Sequence, residues 1–73
     1  MARTRYRVVP NGGTWQLRRE AEPLSNHTYK YQAVDAGQRI ARANQPSQLI
    51  IHKADGSIET EYTYGDDPYP PKG

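Results

Sequence analysis

Apolar and polar residues alternate on both sides of two turn-forming dipeptides, Asn11-Gly12 and Asp55-Gly56. Asn-Gly and Asp-Gly readily adopt the backbone of a tight turn, so each predicts a β-hairpin. A two-residue loop at Asn11-Gly12 sets Val8 opposite Trp15 and Tyr6 opposite Leu17 on one face. On the other face Arg7 meets Gln16 and Arg5 meets Arg18. Such sorting supports the register, because a one-residue slip would exchange the faces. Pro10 suits a strand end beside a turn, where no ladder donor is needed. A two-residue loop at Asp55-Gly56 sets Leu49 opposite Tyr62 and Ile51 opposite Thr60 inside. Ile50 with Glu61 and His52 with Glu59 fall outside. The sorting is poorer here, with Ile50 outside and Lys53 inside.

Between the hairpins the period changes from 2 to 3.6. Ala33, Val34, Gly37, Ile40, Ala41 and Asn44 share one face of a helix predicted over about Tyr29 to Asn44. Lys30, Asp35, Arg39 and Arg42 lie mostly off that face. Thr28 is the preferred N-cap, with Asn26 and Ser25 as rivals. Pro46 ends the helix, because the residue before a proline avoids the α region. Gly37 weakens a helix by about 1 kcal/mol relative to Ala. Its expected benefit is close approach of the helix to the sheet. Glu20 to His27, which contains Pro23, reads as a polar loop.

The expected architecture is therefore α+β. It is a two-layer ββαββ domain over residues 1–64, with two β-hairpins forming a four-stranded sheet and one helix packed on one face. Residues 65–73 form an extended Pro-rich C-terminal tail. Two strand orders fit. The second and third strands can be parallel neighbours joined by a right-handed crossover. Alternatively the first and fourth are central, placing Arg5 and Arg7 beside Glu59 and Glu61. The two-sided apolar run Leu49-Ile50-Ile51 favours a buried third strand, hence the first order, or a third strand buried by a subunit, whereas charge pairing favours the second order.

Composition narrows the function. A chain of 73 residues with 34% hydrophobic residues supports one small core. Small scaffolds usually need a staple. Absence of Cys removes the disulfide, and two separated histidines, His27 and His52, argue against zinc. A partner subunit or efficient packing remains, so a homo-oligomer or a protein partner is expected. Basic residues 1–7 are followed by no apolar run, so neither a signal peptide nor a membrane span is expected, and the expected compartment is the cytoplasm.

Candidate chemistry is sparse. His52 opposite Glu59 has the residue types of a base and its orienter, but also those of a surface pair. Asp66-Asp67 lacks the converging oxygens of a cation loop. Gly12-Gly13 opens no helix and is a turn, not a phosphate cradle. No catalytic residue, metal ligand or cofactor is expected. Arg3, Arg5, Arg7 and Arg18 should share the sheet face away from the helix and form the candidate binding face. They would either contact phosphates or be neutralised by Glu59 and Glu61; a net charge of +2 is weak for nucleic acid. Tyr6, Trp15, Tyr62 and Tyr64 have the parity of a core. Tyr69, Pro70, Pro71 and Lys72 in the tail are candidate contacts, as a ligand for an aromatic groove or as a strap.

The segments Tyr6-Arg7-Val8-Val9-Pro10-Asn11-Gly12-Gly13-Thr14-Trp15, the helix with Ala33, Ile40 and Ala41, Asp55-Gly56-Ser57-Ile58, and the stretch from Tyr64 to Gly73 carry a resemblance. Together they resemble domain-of-unknown-function family 2188, small bacterial and phage proteins. The resemblance implies a compact stand-alone domain and supplies no activity, substrate or catalytic residue. The leading expectation is a small non-catalytic interaction module, self-associating, that acts through its sheet face and tail. The alternative is a nucleic-acid-binding protein that uses the Arg face.

Overall fold

A computed structural model describes residues 3–65. The tail contacts Tyr69, Pro70, Pro71 and Lys72, and the Asp66-Asp67 pair, lie outside the described residues. The elements are β1 (Thr4–Asn11), β2 (Thr14–Arg19), β3 (Glu22–His27), α1 (Lys30–Ala43), β4 (Ser47–His52) and β5 (Ile58–Tyr64). They form one mixed sheet in the order β3-β2-β1-β4-β5, with the helix on one face. β1 and β4 are parallel, and every other pair is antiparallel.

The fold class is α+β, but the sheet has five strands and not four. Glu22–His27, expected to be a loop, pairs with β2 as an edge strand. Its sequence lacks alternation and contains Pro23, which an edge strand tolerates because no ladder donor is required there. A bulge between Leu17 and Arg18 absorbs the irregular register. The turn into β3 contains no glycine. Glu20 takes φ 55°, a left-handed conformation unusual for a residue with a Cβ. Two bonds to one residue hold it there. The Glu20 N–H donates to Arg5 O at 2.7 Å, and Glu20 Oε2 accepts from the Arg5 N–H at 3.0 Å.

Neither expected strand order occurs. β4 adds beside β1 in parallel, with Tyr6 opposite Leu49 and Arg7 opposite Ile50. A parallel neighbour needs a crossover connection, and α1 supplies it. β4 then lies between β1 and β5, and Leu49, Ile50 and Ile51 are all buried. The two-sided apolar run is thus explained within one chain.

The first hairpin turns one residue later than expected. Gly12 and Gly13 occupy the loop at φ 56° and 90°, and Asn11 pairs with Thr14. Two glycines meet the positive-φ demand of a type I′ turn more easily than Asn-Gly. Moving the turn by one residue shifts the partners by two, so faces are conserved while neighbours change. Val8 now meets Leu17, and Arg7 meets Arg18. The second hairpin keeps the expected pairs Leu49–Tyr62, Ile50–Glu61 and Ile51–Thr60. Beyond Ile51 the register shifts, and His52 pairs with Ile58 instead of Glu59.

Helix α1 starts at Lys30 with Tyr29 as N-cap, not Thr28. Gln32 Oε1 accepts from the Tyr29 N–H at 3.3 Å, half of a capping-box arrangement. At the other end Asn44 Nδ2 donates to Ile40 O at 2.8 Å, and buried Ser47 Oγ donates to Ala41 O at 2.5 Å. Ala33, Gly37 and Ala41 face a core of Tyr6, Val8, Leu17, Leu49 and Ile51. Trp15 and Tyr64 pack partly against it. Tyr62, expected in the core, is 42% exposed. The helix packs on β1, β2, β3 and β4, while β5 lies at the far edge of the sheet.

A Cβ built on Gly37 would lie 2.8 Å from Leu49 Cδ1 and 3.2 Å from Leu17 Cδ1. Both leucines are buried and have little room to swing away. Helix propensity alone makes Gly37→Ala stabilising by about 1 kcal/mol. Overpacking costs about 1–3 kcal/mol, so a net loss is expected for Ala and a larger one for Val. Urea midpoints measure both; a stabilised Gly37→Ala would show that the contact is slack.

In the β4–β5 turn Asp55 Oδ1 accepts from Ser57 Oγ at 2.6 Å and from the Ser57 N–H at 2.9 Å. These bonds, the hydroxyl first, hold the Asp55 carboxyl below its ordinary value. Because the folded value is depressed, the stabilisation is present above the unfolded value of about 3.9. It is lost as pH falls through the folded value. Asp55→Asn should therefore flatten that part of the acid limb of stability, measured by chemical denaturation from neutral pH downward.

Candidate functional site on the open sheet face

The sheet has one face under the helix and one face open. Arg5 and Arg7 of β1 point to the open face because Tyr6 and Val8 point to the core. Arg18 of β2 does the same beside inward Leu17. The pairing lays out one row across four strands: Arg18, Arg7, Ile50, Glu61. The next row contains Arg5, Gln48 and Thr63. Three of the four expected arginines therefore come together, with Arg7 in place of Arg5 opposite Arg18. Arg3 immediately precedes β1, and its guanidinium donates to Gly65 O at 3.4 Å.

The expected neutralisation by Glu59 and Glu61 does not occur. Glu59 falls at the register shift and ion-pairs with Lys30 of the helix. Glu61 is separated from Arg7 by Ile50, and its carboxylate accepts from Gln48 Nε2 at 2.9 Å. Among the described residues the ion pairs are Arg19–Glu22, Lys30–Glu59 and Arg39–Asp35. None involves Arg5, Arg7 or Arg18.

Neutral acceptors hold two of these guanidiniums. Arg7 donates to His52 Nε2 at 3.1 Å, and Arg18 Nε donates to Gln16 Oε1 at 2.7 Å. His52 Nδ1 lies 2.9 Å from Gly56 O. Since a carbonyl only accepts and a guanidinium only donates, the ring is assigned as the neutral tautomer with its proton on Nδ1. Both ring nitrogens are thereby engaged, and the His52–Glu59 pair is not formed. Ile50 is only 4% exposed although it lies on the open face. The half-buried Arg7 stands beside it, where an aliphatic stem covers apolar surface and leaves the charged head in water.

A model of the family described as "Uncharacterized protein conserved in bacteria (DUF2188)" matches residues 6–64. The chain belongs to this family. No curated protein and no solved structure matches it. The matched span of this DUF2188 chain runs from Tyr6 to Tyr64 and so includes Arg7, Arg18, His52 and the whole of α1.

Elsewhere in the DUF2188 chain, sequence reasoning missed a groove of about 740 Å³ between β3 and α1, lined by Asn26, His27, Tyr31, Gln32, Asp35 and Arg39 among others. It was hidden because Glu22–His27 gave no strand signal. Beside it Ser25 Oγ and His27 Nε2 lie 2.9 Å apart. That is nucleophile-to-base distance, but among the described residues no carboxylate orients the ring, so the triad arrangement is incomplete. Among the described residues no cluster of three His, Cys, Asp or Glu is placed to hold a metal ion. No helix among them is long and apolar enough to cross a membrane. Tyr29 and Tyr31 stack at 5.8 Å on the exposed helix start. Lys30 Nζ lies 5.1 Å from the centre of the half-buried Trp15 ring.

Like charges directly opposite each other destabilise a sheet by about 0.2–1 kcal/mol. Arg18→Gln should therefore raise the urea midpoint of the DUF2188 domain slightly. A clear loss would instead show that the guanidinium serves the fold.

Proposed function

We propose that the protein is a non-catalytic binding module whose working surface is the open sheet face, and that its partner is the phosphate backbone of a nucleic acid. One observation carries the reading. Arg7 stands opposite Arg18, Arg5 lies one step along the strand, and among the described residues no carboxylate forms an ion pair with any of their guanidiniums; the Glu20 carboxylate reaches only the Arg5 backbone N–H. The fold gains no electrostatic stabilisation from opposed like charges, whereas a polyanion gains from each. Among the described residues the open face carries Arg5, Arg7, Val9, Gln16, Arg18, Gln48, Ile50, His52, Glu61 and Thr63 and no Phe, Tyr or Trp, and the His52 ring is held by bonds at both nitrogens. Base stacking is therefore not offered there, and recognition through phosphates is independent of sequence.

Self-association through this face has less support. Ile50, whose exposure would have called for a partner subunit, is covered within one chain.

The test is binding to a 20-base-pair duplex as a function of salt. Three uncompensated arginines at about −0.9 each give a slope of log affinity on log salt of about −3. Arg7→Ala with Arg18→Ala should bring it to about −1 and weaken binding equally for unrelated sequences. Absence of salt-dependent binding by the unaltered chain would overturn the proposal.

A further inference from the structure

Charge alone does not account for how the two opposed arginines are held. Each guanidinium has five donors. Arg7 uses one on His52 Nε2, and Arg18 uses Nε on Gln16 Oε1. Neither acceptor carries charge, so neither neutralises the cation it orients. His52 is itself anchored by its second nitrogen on Gly56 O, at the β4–β5 turn. The Cα partners Arg7 and Arg18 sit on adjacent antiparallel strands, about 5 Å apart. Both side chains are half-buried, whereas Arg5 is exposed. A half-buried, oriented guanidinium loses less rotamer freedom when it binds than an exposed one does.

We infer that Arg7 and Arg18 form a clip for a single phosphate group, with His52 and Gln16 as positioning residues. The inference rests on the polyanion reading above and names the point of attachment within it. In such a clip the guanidinium donors left over from the two neutral acceptors serve one anion, and forked donors match phosphate oxygens in pairs. Glu61, the carboxylate of the same row, is kept away by Ile50 and bonded to Gln48. The ligand chemistry is a phosphate ester or free phosphate, and the two are separated by experiment.

Replacing His52 with Leu removes an acceptor and leaves every formal charge at neutral pH in place. Diffuse attraction to a polyanion would be unchanged, while a clip would loosen. His52→Leu should therefore weaken binding to a 20-base-pair duplex about fivefold, the size of one net hydrogen bond, with an unaltered salt slope. His52→Gln, which restores an acceptor oxygen, should recover most of the loss, and Gln16→Ala should behave like His52→Leu. In parallel, inorganic phosphate titrated into the unaltered protein should shift the Nε resonances of Arg7 and Arg18 together and saturably, and leave Arg39 and Arg42 unmoved. Circular dichroism and urea midpoints of each variant establish that the fold is retained. Equal affinity of His52→Leu and the unaltered chain, or uniform response of all arginines to phosphate, would overturn the clip while leaving the polyanion reading intact. Phosphate response at Arg7 and Arg18 without duplex binding would do the reverse, upholding the clip and overturning the nucleic-acid reading.

Discussion

The parallel pairing of β1 with β4 is the constraint on which the rest of the molecule depends. Parallel neighbours cannot be joined by a tight turn, so the chain must cross over, and α1 is that crossover. With β4 on one side of β1, the β2–β3 meander can grow only on the other. β5 is then displaced to the far edge. The helix finds its place over the middle of the sheet, where Gly37 lets it rest against Leu17 and Leu49. Tyr62 remains exposed because its strand lies beyond that middle.

The same pairing decides the electrostatics. Had β5 joined β1, Glu59 and Glu61 would have stood beside Arg5 and Arg7. Instead the apolar Ile50 separates Arg7 from Glu61, and a register shift in β5 accompanies the pairing of Glu59 with Lys30. Basic residues concentrate around β1 and β2, while the acidic residues of β5 lie at the edge. A formal net charge of only +2 thus conceals an uncompensated patch. Charge distribution, not total charge, governs attraction to a polyanion.

Stability without disulfides is consistent with the packing. Tyr6 supplies bulk that a chain without Phe otherwise lacks, and it is 1% exposed. Small residues Ala33, Gly37 and Ala41 face the sheet, so the layers approach closely. Side chains of Asn44 and Ser47 donate to Ile40 O and Ala41 O in the last turn of the helix, where Ala41 O also accepts from the Asn44 N–H.

Much of this was legible from the sequence by itself. Period-2 alternation determined which residues of β1, β2 and β4 face the core, and the 3.6 period determined the helix and its buried stripe. Those signals are local, because a side chain's face follows from its parity alone. The apolar triplet Leu49-Ile50-Ile51 also announced an interior strand. What only the tertiary structure decided was which strands are neighbours. Pairing depends on contacts between segments distant in the chain, and two strand orders satisfied the local pattern equally. The β3 edge strand was invisible because Pro23 and an irregular register erase alternation, and its turn relies on Glu20 held at positive φ by Arg5. The turn at Gly12-Gly13, one residue along, preserved every face but exchanged every partner. Parity placed the arginines on the open face, but only the register could place Arg7 against Arg18 and His52 within reach of Arg7.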